Sequence, residues 1–397
     1  MSTRHAAPRS AAIVGAGLGG LVAALSLLRH GWSVTVHEQA PSLGEVGAGL
    51  SLSRSTLHVI QALELFPQVR ALASPVNGLP FLHYRTAALL SGVHDRTDGR
   101  LDPGADPASV SLQIHRADLH AVLVAALRDR APDSLRLGRR LDRFEAVDGR
   151  ARLHFADGAM DEADLAIGAD GVRSVMRTRL WNAPPLRFTG QVAYRCLLDP
   201  ADAAPFMSAG RAAVYVGPGS VFNRYTLRGG NLVNCVSLVA TDDWQGEGWS
   251  HPAGIEDALA AHEGWHADVR GLLSLARPGS LIRWGLFDRA PLPRWSDGPF
   301  TLLGDAAHPM LPFLGLGAAM AIEDGYVLGR ALDGTEDLQA ALRRYEAARL
   351  PRTAEVASLS RQQGALLQDQ DPERFGERPS SHTNKAMYGF NPVTAPI

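Results

Sequence analysis

Three stretches of this chain join a glycine turn to a group that could hold a ligand. The first is Gly15-Ala16-Gly17-Leu18-Gly19-Gly20. It follows a short apolar run, Ser10 to Val14, and opens a segment with helical spacing, Leu21 to His30. A second strand pattern, Trp32 to His37, ends at Glu38. In such a strand–turn–helix–strand unit, Gly15 permits the tight turn, Gly17 lets main-chain N–H groups approach a pyrophosphate, and Gly20 lets helix and strand pack closely. The helix N-terminus favours the phosphates, and Gly31 stands where a helix C-cap belongs. Glu38 is placed to accept hydrogen bonds from ribose hydroxyls, and its charge disfavours a 2′-phosphate. The expectation is an ADP-containing dinucleotide. The fingerprint alone does not separate a nicotinamide from a flavin.

Two further stretches do. Asp164 to Ser174 reads as a strand running into a turn and a helix start, with Asp170 and Gly171 at the turn. Leu302 to Phe313 reads as a strand, a Gly304-Asp305 turn and a Pro-rich loop, leading into a helix, Gly317 to Leu332, with Gly317 and Ala318 at its N-terminus. A carboxylate at a strand end beside a helix N-terminus can hold a polyol such as a flavin's ribityl chain. A helix N-terminus aimed at the ring's carbonyl edge stabilises negative charge there.

The chain that must position these groups has 397 residues, enough for about two to three domains or one large α/β unit with insertions. A hydrophobic content of 46% and a charged content of 20% suit a packed protein. A formal net charge of -2 argues against a dedicated nucleic-acid binder. The two cysteines, Cys196 and Cys235, are far apart in sequence, which excludes a disulfide framework, a CxxC redox motif and a Cys-rich metal site. Lys385 is the one lysine, so no mechanism can rest on a lysine in the body of the fold. The first residues are polar, and Leu21 to Leu28 is too short to span a bilayer. The expectation is a cytoplasmic protein acting without membrane or nucleic acid. Short strand-like runs, Ala212 to Val216, Arg224 to Leu227 and Asn231 to Ala240, are separated by glycine turns. Asp337 to Leu367 reads as helix, interrupted or kinked at Pro351, and Asp369 to Ile397 reads as a tail draped on the surface.

The three motifs GAGLGG, GADGVRS and GDAAHPMLPF, in this order, together with Ile114-His115-Arg116-Ala117-Asp118-Leu119, resemble the single-component (class A) flavoprotein aromatic hydroxylases, above all salicylate hydroxylase and 6-hydroxynicotinate 3-monooxygenase. The resemblance runs over nearly the whole chain. It implies an α/β fold: a Rossmann-like FAD-binding domain of the para-hydroxybenzoate hydroxylase type, an inserted, mostly antiparallel β-sheet substrate domain, and a C-terminal helix. Residues 1–75, 101–182 and 281–370 would form the FAD-binding domain, 76–100 and 183–280 the sheet domain, and 371–397 a tail. FAD would be held by Gly15, Gly17, Gly20, Glu38, Arg116, Asp170, Gly304, Asp305, Gly317 and Ala318, with NADH or NADPH docking transiently.

The implied reaction takes dioxygen and a small electron-rich aromatic substrate, such as a salicylate-like or other hydroxy- or aminobenzoate, and passes through a flavin C4a-hydroperoxide. The protein would be a monomer or homodimer. Tyr225 matches the position that faces substrate in the family, His308 could reach the same pocket, and Pro312 would pack near the reactive flavin carbon. The alternatives are a tailoring hydroxylase or epoxidase for a larger secondary metabolite, and an uncoupled NAD(P)H oxidase. Ser51 and Val221 stand where the hydroxynicotinate enzyme carries histidines, so two polar contacts of that substrate are missing. Arg54 could pair with a substrate carboxylate or sit on the surface or phosphate side, and Leu316 makes the flavin loop more apolar than the family's glutamine.

Overall fold

A computed structural model describes residues 9–44, 49–76, 78–94, 111–242, 244, 251–377 and 389–397. Lys385 lies outside the described residues, as do residues 95–110.

The strand expected before the glycine motif is Ser10–Val14, and the helix after it is Leu18–Arg29. Gly31, at φ +75°, turns the chain out of that helix into Ser33–His37. Ser10–Val14 is buried along almost its whole length because it sits between two parallel neighbours, Leu165–Gly168 and Ser33–His37. Phe300–Leu302 and Leu135–Arg136 complete a five-stranded parallel sheet. Each of the three sequence motifs thus starts at the C-terminal end of one of its strands. In parallel α/β sheets ligands bind at that end. Helices Leu18–Arg29 and Gly317–Ala331 pack against one another over this sheet.

A second sheet has eight strands, in the order His251–Pro252, Ile282–Asp288, Arg187–Leu198, Leu232–Ala240, Ser220–Leu227, Ala212–Gly217, Phe81–His83 and Leu89–Ser91. All its pairings are antiparallel except that of Ala212–Gly217 with Phe81–His83. One face packs on helices Ile255–Ala260 and Ala267–Ser274, and the other faces the glycine motifs. The two cysteines, distant in sequence, meet in this sheet. Cys196 is directly opposite Cys235, and both are buried and free. Separation along the chain therefore says nothing about their separation in space. They lie on the helix-covered face, away from the motifs.

Two further expectations are corrected. The C-terminal helix is not interrupted at Pro351 but runs through it as one element, Leu338–Leu367. Asp337 caps it by accepting from the N–H of Ala340 at 2.9 Å. Arg349 and Arg352, on either side of the proline, are both tied to carboxylates of helix Gly317–Ala331, which holds the backbone across the lost hydrogen bond. The described parts of the tail are anchored rather than draped. Phe375 is buried against Phe81, with ring centroids 4.8 Å apart. Arg330 donates to the carbonyls of Pro392 and Ala395, and Val393 and Ile397 pack on the main core.

Candidate active site

Between the two sheets lies a cavity of about 490 Å³. Gly17, Gly20, Arg116, Gly304, Asp305, Pro312, Gly317 and Ala318 line it from the side of the parallel sheet. Tyr225, Asn223, Arg195 and Trp284 line it from the eight-stranded sheet, among valine and leucine side chains. The structure therefore brings together eight of the positions singled out for the cofactor and the chemistry on one wall, with Tyr225 facing them.

Gly15 and Gly20 show why the first motif needs glycine. Gly15 has φ +107°, and a Cβ there would meet the carbonyl oxygen of Ala169 at 2.4 Å. A Cβ on Gly20 would stand 2.1 Å from the carbonyl oxygen of Gly15. At Gly17, by contrast, a Cβ would meet nothing within 4 Å, so the turn is open on the cavity side. Glu38 lies behind the turn, where its carboxylate accepts from the N–H groups of Ala16 and Ala40, each at 2.9 Å. Those bonds leave lone pairs for a ribose.

Asp170 caps helix Val175–Trp181. One carboxylate oxygen accepts from the N–H groups of Val175 and Met176 at 2.8 and 3.2 Å. The other oxygen is buried with no partner among the described residues. Burial pushes this carboxyl up, opposed by hydrogen bonds from Ser174 and the helix N–H groups. Asp305 is likewise pushed up by burial, while His308 and Arg116 pull it down.

The structure does not bring His308 to the cavity, which corrects the expectation that it reaches the substrate. Its Nε2 is 2.5 Å from Asp324, and its ring leans on Trp295 at 5.2 Å between centroids. Asp324 also accepts from the N–H of Gly304 at 2.9 Å and from Nε of Arg349 at 2.7 Å. Arg349 donates in turn to Glu323, which Arg352 grips with two bonds of 2.7 and 2.8 Å. The carboxyl of Asp324 is raised by burial, but His308 and Arg349 outweigh this and hold it at about 2. Arg177, another fully buried cation, donates to the carbonyls of Ala306 and Ala307 and so ties the second motif to the third. Burial, with Arg289 nearby, brings its guanidinium down to about 10.

These anchors of the Gly304–His308 turn, Asp324, Arg349 and Arg177, were not read from the sequence. A charged residue in an apolar helix pattern, as at Glu323-Asp324, was the available signal. Arg54 heads helix Arg54–Ala62 on the surface and does not line the cavity, whereas Arg195 does.

Comparison with known proteins decides the family. The model of an FAD binding domain matches residues 9–360. The chain belongs to this family of FAD-binding flavoprotein monooxygenases. Among the curated relatives of this flavoprotein is a 3-amino-4-hydroxybenzoate 2-monooxygenase of Streptomyces platensis, 36% identical over 97% of the chain and 96% of the relative. A 3-hydroxybenzoate 6-hydroxylase of Polaromonas naphthalenivorans is 34% identical over 91% of the chain and 89% of the relative. Among solved structures, a salicylate hydroxylase substrate complex superposes with a TM-score of 0.80 at 25% identity, covering 98% of this chain and 97% of that one. The flavoprotein's cofactor is FAD. Among its described residues, no helix is long and apolar enough to cross a membrane.

Proposed function

We propose that this flavoprotein hydroxylates a small electron-rich aromatic ring, consuming one NAD(P)H, one proton and one dioxygen per ring hydroxyl formed and releasing NAD(P)+ and water. The observation that carries the reading is the cavity. Its one wall is the glycine-rich loop system, and the other is an apolar sheet carrying Tyr225. A space of about 490 Å³ that must also receive a flavin ring suits a one-ring substrate. The hydroxybenzoate and aminohydroxybenzoate relatives favour the same class.

The residues present fit FAD. Gly15, Gly17 and Gly20 offer an open turn at a helix N-terminus for the pyrophosphate, with Glu38 for the ribose. The unpartnered oxygen of Asp170 and the cavity-lining carboxyl of Asp305 are acceptors for hydroxyl groups. Arg116, Gly304, Gly317 and Ala318 complete that wall. When bound, FAD supplies the transfer of electrons from the nicotinamide to dioxygen.

The chain's own groups do the rest. Met310, Leu311, Phe313 and Leu314 make the loop side apolar and exclude water from the reacting ring. Pro312, at the start of the short helical turn Pro312–Leu314, fixes the loop's course beside the ring. Burial holds the phenol of Tyr225 well above its usual value, so it stays protonated and orients the substrate hydroxyl as a hydrogen-bond partner rather than as a base.

The test is product mass. Purified holoenzyme is incubated with NADH or NADPH and a panel of hydroxybenzoates, aminobenzoates and hydroxypyridine acids. Gain of one oxygen in step with nucleotide oxidation supports the reading, and oxygen gained with carbon dioxide lost narrows it to a salicylate type. Nucleotide consumed with only hydrogen peroxide formed across the panel refutes the one-ring reading.

A further inference from the structure

The tail segment 389–397 closes on the ion pairs that anchor the flavin loop. The ring of Phe390 lies over two guanidinium groups. Its centroid is 4.0 Å from the central carbon of Arg352 and 5.8 Å from that of Arg349. At the shorter separation ring and guanidinium are in van der Waals contact, with no room for water between them. Both arginines spend N–H groups on carboxylates: Arg352 grips Glu323, and Arg349 reaches Glu323 and Asp324. A guanidinium held by its edge presents a flat face, which the electron-rich face of an aromatic ring attracts. The side chains of Glu323, Asp324 and Arg349 are fully buried, whereas that of Arg352 keeps 10% of its surface exposed. Arg352 is thus the member of the network nearest to water, and the ring lies on it.

The segment that carries the ring is fastened on its own account. The N–H of Val393 donates to the side chain of Asn391, and that of Ala395 to the carbonyl of Asn391, each at 2.9 Å. Arg330 donates to the carbonyls of Pro392 and Ala395 at 2.7 and 3.0 Å. Arg330, Glu323 and Asp324 belong to helix Gly317–Ala331, and Arg349 and Arg352 to helix Leu338–Leu367. The tail therefore joins the two helices whose pairing holds the loop. From the ring the path runs through direct contacts: Phe390 to Arg349, Arg349 to Asp324, Asp324 to the N–H of Gly304. Water admitted to this network would compete for Asp324 and Arg349 and loosen the turn. A turn that is in its binding conformation for only part of the time holds its ligand more weakly by that fraction.

We infer that Phe390 is a positioning residue for the cofactor: its ring seals the buried arginine–carboxylate network and so keeps the Gly304–His308 turn preformed for FAD. This rests on the reading that the third motif holds FAD. Phe390 does not line the cavity, so its effect reaches FAD only through the network.

The experiment reads release of flavin from the holoenzyme. Wild type, Phe390→Ala, Phe390→Leu and Phe390→Tyr are diluted in series, and the fluorescence of free flavin at equilibrium gives the Kd for FAD. Loss of a desolvated contact between cation and ring raises that Kd about fivefold or more in Phe390→Ala. Phe390→Leu keeps an apolar cover without the ring face and raises it by about threefold or more. Phe390→Tyr keeps the face and stays within about twofold of wild type. A tail that only added stability would lower the Tm and leave the Kd of the folded protein unchanged.

Thermal unfolding reports on folding, and the Leu and Tyr variants carry the test where the Ala variant is not folded. A wild-type Kd in folded Phe390→Ala or in Phe390→Leu overturns the inference, as does a Tyr variant as weak as the Leu variant. Asp305→Ala, run beside them, separates the two failures. Full flavin occupancy in that variant refutes the cofactor role of the third motif, whereas flavin lost there but held unchanged in Phe390→Ala refutes the role of the ring alone.

Discussion

Replacing Asp324 by asparagine tests whether the loop that carries Asp305 is held from behind by charge. The side chain is fully buried and accepts three N–H bonds, from Gly304, Arg349 and His308. Glu323, Asp324, Arg349 and Arg352 sum to zero charge. The amide removes one negative charge and puts N–H donors where only donors face it. Breaking a buried pair on one side costs about 3–5 kcal/mol. That is a large part of the roughly 5–15 kcal/mol that a domain commonly has.

Urea unfolding at pH 7 should show that loss as a fall in midpoint at unchanged slope. The pH dependence gives an independent check. The carboxyl sits at about 2 in the folded protein against its usual 3.8. Its contribution is therefore complete above about pH 4 and is lost as pH falls toward 2. The gap between wild type and Asp324→Asn should shrink by about 1 kcal/mol by pH 3 and about 2 kcal/mol by pH 2. A gap under about 1 kcal/mol at pH 7, or one that is constant from pH 5 to pH 3, would refute the assignment.

Asp305→Ala should purify largely without flavin colour, and full occupancy in that variant would sink the cofactor role of the third motif. Glu38→Ala should weaken FAD binding by about 1–3 kcal/mol, since it removes an acceptor for two N–H groups at the turn as well as the ribose contact. The pH optimum at saturating FAD should not move, and a large shift would count against a ribose role. Tyr225→Phe should keep its FAD and lower product formed per nucleotide oxidised by about tenfold or more; unchanged coupling would remove Tyr225 from substrate contact. Both thiols, Cys196 and Cys235, should be silent to a thiol reagent in the folded protein and react on unfolding; prompt labelling of either would contradict their burial.

What was legible in the sequence follows from the range of the forces involved. The glycine turn at Gly15–Gly20 could be read because a local backbone demand leaves only one residue type possible. The strands beside it could be read because burial between parallel neighbours demands an unbroken apolar run. The anchoring of the Gly304–His308 turn could not. Asp324 and Arg349 lie on two helices, and their pairing exists only after those helices pack. His308 was misjudged for the same reason. Its place in a loop rich in cofactor contacts suggested the cavity, but a buried carboxylate behind the loop claims its ring. Arg195 entered the reading only through the likeness of Ala193-Tyr194-Arg195 to the family, which says nothing of its face in a sheet. Only the register with Val236 and Asn223 shows which face it occupies.

These misreadings share a cause that bears on how the site works. The buried ion pairs sit behind the loop, on helices Gly317–Ala331 and Leu338–Leu367, whereas the cavity in front is mostly apolar. Charge in the first place fixes the loop without entering the reaction space. Charge in the second would draw in water, unless a ligand neutralises it. Arg195 is tolerable in a dry cavity only on that condition. A ligand whose acid group covers the guanidinium would remove one hydrated charge from the space beside the glycine-rich loops. On this argument, uncoupled nucleotide oxidation in the wild type should be higher with the amide of a substrate than with the acid, at equal occupancy. Peroxide formed per nucleotide consumed is the measurement, and an equal yield for acid and amide would refute the link between recognition and dryness.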